Sequence, residues 1–97
     1  MDLTGKTGLI TGANRGIGRA LVERLAELPL RSVLAGVRNV ESFEAVELAP
    51  GGAREVRAVR MDLSSQASIE ECCSKLGGEL AQIDLLINNA GLMTGGL

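Results

Sequence analysis

The residues best suited to chemistry in this chain sit in one octapeptide, TGANRGIG, from Thr11 to Gly18, with glycines at 12, 16 and 18. Their spacing is GxxxGxG, distinct from the GxGxxG of the general dinucleotide fingerprint, but the physics is similar. A glycine at a strand end permits a tight turn, and glycines without Cβ let the backbone approach a pyrophosphate. The helix that follows offers unpaired N–H groups and a partial positive charge. That dipole is worth about 0.3–1 kcal/mol, up to about 2 when partly buried, so it orients phosphates without choosing among cofactors. A second candidate, Gly5-Lys6-Thr7, matches only the tail of a P-loop. It lacks the upstream glycine and the preceding strand, which excludes nucleoside-triphosphate hydrolysis.

Composition narrows the chemistry further. The chain has 97 residues, 45% hydrophobic and 23% charged, with 10 Lys+Arg against 12 Asp+Glu, one Phe, and no Tyr, Trp or His. With no His and only two Cys, a His-based relay, a Ser-His-Asp triad and a zinc site are excluded, and with no Tyr so is a phenolic acid/base. A net charge of −2 and a single aromatic provide neither a basic field nor a stacking platform, so no nucleic-acid partner is expected. No stretch approaches the roughly 18 apolar residues of a membrane span, and the N-terminus MDLTGKTGLITG lacks the basic and apolar regions of a leader. No membrane partner and a cytoplasmic location are therefore expected. Cys72 and Cys73 are adjacent, which disfavours a mutual bridge and points to a reducing compartment.

These candidates must be positioned by short apolar runs alternating with helix-period segments. Leu9-Ile10-Thr11, Val33-Leu34-Ala35, Val56 to Met61, and Ile83 to Ile87 read as four strands. Ile17, Leu21, Leu25 and Leu28 recur at helical spacing between the first two, and Pro29 closes that segment. Ile69, Cys72, Cys73, Leu76 and Leu80 form one apolar stripe before the fourth strand, with Ser64 or Ser65 as N-cap and Gly77-Gly78 weakening the end. Glu41 to Leu48 carries a short helix at most. Arg54, Arg57 and Arg60 alternate along strand three, as on an edge strand with one solvated face. The fourth strand, apolar nearly without alternation, expects cover on both faces. The pattern is that of parallel βαβ units, an α/β fold with helices on both faces of the sheet.

TGANRGIG after the first strand, Asp62-Leu63 after the third, and Asn88-Asn89-Ala90-Gly91 after the fourth together resemble the N-terminal half of a short-chain dehydrogenase/reductase. The resemblance spans essentially all 97 residues and about the first two-fifths of a typical member on the usual domain-size scale. It implies that residues 1–97 are the N-terminal part of a single NAD(P)-binding Rossmann domain, with strand order 3-2-1-4 and truncated after the fourth strand. By that resemblance Gly12 and Gly16 line the pyrophosphate turn, Ile17 gives backbone to the phosphates, and Gly18 packs the helix on the sheet. Asn14 and Arg15 fall on the adenosine ribose side. Asp62 resembles the carboxylate that bonds the adenine amino group, with Leu63 packing on the ring. Asn89, Ala90 and Gly91 look like the segment under the ribose and nicotinamide, while Asn88 ties strand four to its neighbours.

Cofactor choice follows from charge. At the end of strand two, dinucleotide folds place an acid for the 2′-hydroxyl of NAD or an arginine for the 2′-phosphate of NADP. Here that end reads Ala35-Gly36-Val37-Arg38-Asn39, with Val37 where the acid would stand and no carboxylate before Glu41. Arg38, joined by Arg15 from the glycine turn, selects NADP(H). The family's Tyr, Lys, Ser and Asn of catalysis are all expected beyond Leu97, so no catalytic residue is assigned here and the chain alone is expected to be inactive. The sequence thus reads as a portion of a longer oxidoreductase acting on a small carbonyl or alcohol, homo-oligomeric when full length. The alternative is a complete, non-catalytic nucleotide-binding or interaction module.

Overall fold

The computed structural model describes residues 2–89. Its four strands are β1 (Thr7–Thr11), β2 (Ser32–Val37), β3 (Val56–Arg60) and β4 (Leu85–Ile87), and its two α-helices are α1 (Gly16–Ala26) and α2 (Gln66–Leu76). Short 3-10 turns occupy Val40–Ser42 and Gly77–Gln82. The strands form one parallel sheet in the order β3-β2-β1-β4, as the resemblance implies.

Alternation of side chains along the strands sorts the core into two layers. On one face Ile10, Val33, Ala35 and Val37 pack with Val22 and Leu25 of α1. On the other, Leu9 and Leu34 pack with Cys72 and Leu76 of α2. The central strands β1 and β2 are buried along their whole length, which explains their aliphatic runs.

The phase of α1 differs from the sequence expectation. Its buried face is Gly18, Val22, Leu25 and Ala26, one position on from the Ile17-Leu21-Leu25-Leu28 stripe, and Ile17 is 59% exposed. Gly18 imposes the rotation, because only a residue without Cβ fits against the Gly12 carbonyl. Leu21 and Leu28 flank the core half-buried.

In α2 the expected Ser65 cap is present: its side chain accepts from the Ser68 amide at 3.2 Å. The helix ends where Gly77 turns to φ 53°. Cys72 and Leu76 face inward as expected, but Leu80 falls in the following 3-10 turn and is exposed. Ser68 takes the inward position of the first turn instead of Ile69. Its buried hydroxyl is satisfied by the Asp62 amide at 3.0 Å and Arg60 Nη1 at 3.1 Å.

Strand β4 is shorter than the Ile83 to Ile87 run. Ile83 closes the 3-10 turn, and the Asp84 carboxylate takes the Thr7 amide at 3.0 Å while its own amide donates to Thr7 O at 2.9 Å. The cover expected on both faces of β4 is missing on one among the described residues. Leu86, level with Leu9 on the α2 side, is 61% exposed, because α2 sits over Leu9 and Leu34. At the other edge, β3 carries Arg57 in a bidentate pair with Glu79, Nη2 to the two carboxylate oxygens at 2.7 and 2.6 Å.

Leu34 is fully buried at the sheet centre. Leu34→Ala is expected to cost about 2–5 kcal/mol through lost burial and a residual cavity. The same truncation at exposed Leu48 should change stability by no more than about 0.5 kcal/mol, both read by urea denaturation.

Candidate functional site

Parallel pairing puts the C-terminal ends of all four strands on one edge of the sheet. There the Gly12–Gly18 turn, Arg38, Asp62-Leu63 and Asn88-Asn89 come together. β1 pairs with β2 on one side and β4 on the other, so the crevice outside β1 is a topological switch point, where open α/β sheets bind ligands.

The turn is held from below and open above. Gly12 and Gly16 adopt φ 61° and 60°, a left-handed backbone that favours glycine. The Ala13 amide donates to Gly36 O at 3.0 Å, fastening the turn to β2. A Cβ on Gly18 would overlap the Gly12 carbonyl oxygen and lie 2.7 Å from Asn89 Nδ2. Asn89 is 1% exposed, and its Nδ2 donates to the same Gly12 oxygen at 3.1 Å. Asn88 ties the strands as expected, its Oδ1 accepting from Thr11 Oγ1 at 3.0 Å.

Arg15 is the N-cap of α1, with extended backbone and no side-chain cap, and the first turn holds no acidic residue. Among the described residues the leading amides of α1 thus have no side-chain cap, the condition under which a helix start receives an anion. Gly16 and Ile17 beside them are exposed. Arg15 and Arg38 are both exposed, and among the described residues neither side chain has a hydrogen bond or ion pair.

Asp62 Oδ1 accepts from Ser64 Oγ at 2.6 Å and Ser64 N at 3.0 Å. These bonds, the hydroxyl first, hold its pKa below the usual carboxylate range, and the charges of Arg38 and Arg60 act the same way. Among the described residues Oδ2 has no donor. Leu63 beside it is exposed, an apolar surface at the same edge.

Three side chains that sequence reasoning passed over also act here. Ser42 Oγ accepts from Asn14 Nδ2 at 2.8 Å, Arg19 reaches Glu44 O at 2.6 Å, and Ser68 bonds the amide of Asp62. No motif marks them; Ser42 is findable only as a hydroxyl three residues after a capping Asn39. Ala90 and Gly91 lie outside the described residues. Cys72 is free and buried, and burial pushes its thiol up, the environment of an inert core cysteine. A groove of about 310 Å³ between β3 and α2 is lined by charges that pair with one another, Arg57 with Glu79 and Lys75 with Glu71. Among the described residues no group of His, Cys, Asp and Glu is arranged to hold a metal ion, and no helix is long and apolar enough to cross a membrane.

Known proteins are similar to this chain. The family model described as short chain dehydrogenase matches residues 6–96. A sorbitol dehydrogenase of Cereibacter sphaeroides is 40% identical over 94 residues, covering 95% of this chain and 35% of that protein. The 3-oxoacyl-(acyl-carrier-protein) reductase FabG of Escherichia coli (strain K12) is 34% identical over 94 residues, covering 95% of this chain and 36% of that one. A crystal structure of a short chain dehydrogenase from Burkholderia cenocepacia J2315 in complex with NADP superposes with a TM-score of 0.69 at 35% identity, over 92% of this chain and 33% of that chain. The chain thus spans about a third of the length of these relatives.

Gly18→Ala is expected to destabilise the fold by more than about 1 kcal/mol, since its methyl meets the Gly12 backbone, which cannot move aside, as well as the Asn89 side chain; a lower thermal midpoint checks this. The Asp62 turn has a pH dependence of fixed sign. A depressed folded pKa means the turn's contribution is present above the ordinary carboxyl pKa and is lost as pH falls through the depressed value. An NMR titration of the Asp62 carboxyl should give a midpoint below the ordinary Asp value, moving upward in Ser64→Ala.

Proposed function

We propose a function from one premise: this chain belongs to the short chain dehydrogenase family, whose model matches residues 6–96. In this reading it is the NADP(H)-binding portion of an oxidoreductase that transfers hydride between NADPH and a small carbonyl or alcohol. The observation that carries the cofactor choice is the end of β2. Val37 is 2% exposed and packs in the core, so no carboxylate stands where a 2′-hydroxyl would be bound, while the next residue, Arg38, is exposed and has no hydrogen bond or ion pair among the described residues. A relative crystallised with NADP supports the same choice.

The residues present fit such a group. The uncapped start of α1, with Gly12, Gly16 and the Ile17 amide, receives the pyrophosphate, and Gly18 allows the close approach of helix and turn. Arg15 and Arg38 flank the 2′-phosphate, and Asn14 lies on the ribose side. Asp62 accepts from the adenine amino group and Leu63 covers the ring face. Asn89 underlies the ribose and nicotinamide, a role that the resemblance extends to Ala90 and Gly91. The bound cofactor supplies the hydride; this chain orients it.

The 97 residues contain no Tyr, so the proton-transfer step is assigned to the remainder of a longer protein, as are the substrate pocket and any homo-oligomer contacts. A cytoplasmic setting belongs to the same proposal and is supported by two cysteines that are both free.

Arg38→Asp tests the reading. A charge-assisted hydrogen bond lost, and a repulsion gained, should weaken NADPH binding about ten- to a hundredfold and leave NADH binding nearly unchanged, measured by titration of both nucleotides. Equal losses for the two argue against NADP(H).

A further inference from the structure

The connection that leaves β2 is fastened at two points, one on the glycine turn and one on α1. At the first, Ser42 Oγ donates to Asn39 O at 3.0 Å and accepts from Asn14 Nδ2 at 2.8 Å, joining the connection to the glycine turn. Asn39 Oδ1 in turn accepts from the Glu41 amide at 3.0 Å, so the 3-10 turn closes on itself. At the second, one turn into α1, Arg19 Nη1 donates to Glu44 O at 2.6 Å and its guanidinium lies 4.9 Å from the Phe43 ring centroid. Its Nε pairs with Glu23 Oε2 at 3.0 Å, which sets the orientation of the fork.

Arg38 lies between this fastened segment and the end of β2, where Val37 O accepts from the Met61 amide at 2.7 Å. The backbone on both sides of Arg38 is therefore tied down, while its own guanidinium has no hydrogen bond or ion pair among the described residues. A cation whose base is fixed before the ligand arrives loses less conformational freedom on binding than one on a loose loop.

We propose that Ser42 and Arg19 are positioning residues for cofactor selection: by pinning the connection after β2 to the glycine turn and to α1 they hold Arg38 where a 2′-phosphate is bound. The proposal rests on the NADP(H) reading above and adds to it the device that makes the selection sharp. In this proposal the bonds of both residues are to protein atoms, and both act through Arg38. Ser42 is exposed, so removing its hydroxyl opens no cavity.

The test uses the protein that carries this chain, titrated with NADPH, NADH, 2′,5′-ADP and 5′-AMP. Ser42→Ala and Arg19→Met, which keeps the apolar stem, should each weaken NADPH and 2′,5′-ADP about two- to tenfold while NADH and 5′-AMP hold their wild-type affinities. Ser42→Thr and Arg19→Lys, which keep the hydroxyl and the cation, should recover most of the loss, and thermal midpoints near wild type confirm intact folding. If the wild type prefers 2′-phosphorylated ligands but the variants keep that preference, or weaken all four ligands alike, the positioning role is overturned and the cofactor reading stands. If the wild type shows no preference for them at all, both fall.

Discussion

One contact carries most of the geometry: the Cβ-free approach of Gly18 to the carbonyl of Gly12, with the Asn89 amide on the same oxygen. That oxygen is where β1, α1 and the residues after β4 meet. A methyl at residue 18 would force the helix away. With hydrogen there, α1 lies flush on the turn, and its rotation about its own axis is set before any apolar side chain is considered. Val22, Leu25 and Ala26 then face the sheet, and Ile17 faces outward beside the leading amides. The same atom count that packs the fold leaves the helix start open.

Stability and recognition are placed at different levels of the sheet. The two apolar clusters lie against its faces, filled by β1 and β2 from the centre and closed by α1 and α2. The polar residues of the candidate site sit beyond the strand ends, where the backbone has left the ladder and side chains can turn to a ligand. Parallel pairing makes this division possible, since it brings every strand's C-terminal end to one edge. The weakly covered strand is β4, whose Leu86 is open, yet β4 is held to β1 by paired bonds at both ends, Asp84 with Thr7 and Asn88 with Thr11.

Much of this was legible in the residues. The apolar runs located four strands, Ser65 and Gly77 bracket α2 as their chemistry demands, and β3 is the edge its arginines suggested, although Arg54 precedes the strand and Arg57 and Arg60, three apart, lie on opposite faces rather than one. The phase of α1 was not legible, because periodicity counts Ile17 and Leu21 as apolar and gives no weight to a glycine whose value lies in having no side chain. The short β4 was not legible either: Ile83 and Asp84 read as strand until Asp84 is seen to accept from Thr7, 77 residues away. Ser68, Ser42 and Arg19 share that property. Each is an ordinary surface type whose role is set by a partner distant in sequence or by one turn of geometry, and no local pattern carries that information.

The arginines differ in their partners, and the difference bears on the anion site proposed for a chain of net charge −2. Arg57 is spent on Glu79, while Arg60 donates to the neutral Ser68 hydroxyl and keeps its charge, which acts on Asp62. Arg15 and Arg38 have no such partner among the described residues, although Glu41 stands three residues from Arg38 in the chain. The Glu41 amide is instead turned back onto Asn39. Asp62, the carboxylate whose ionisation Arg38 favours, uses one oxygen on Ser64 and stays ionised, able only to accept. Among the described residues Arg15 and Arg38 thus stand without a carboxylate partner at the edge where Asp62 keeps one oxygen without a donor, the polarity on which the proposed nucleotide site rests.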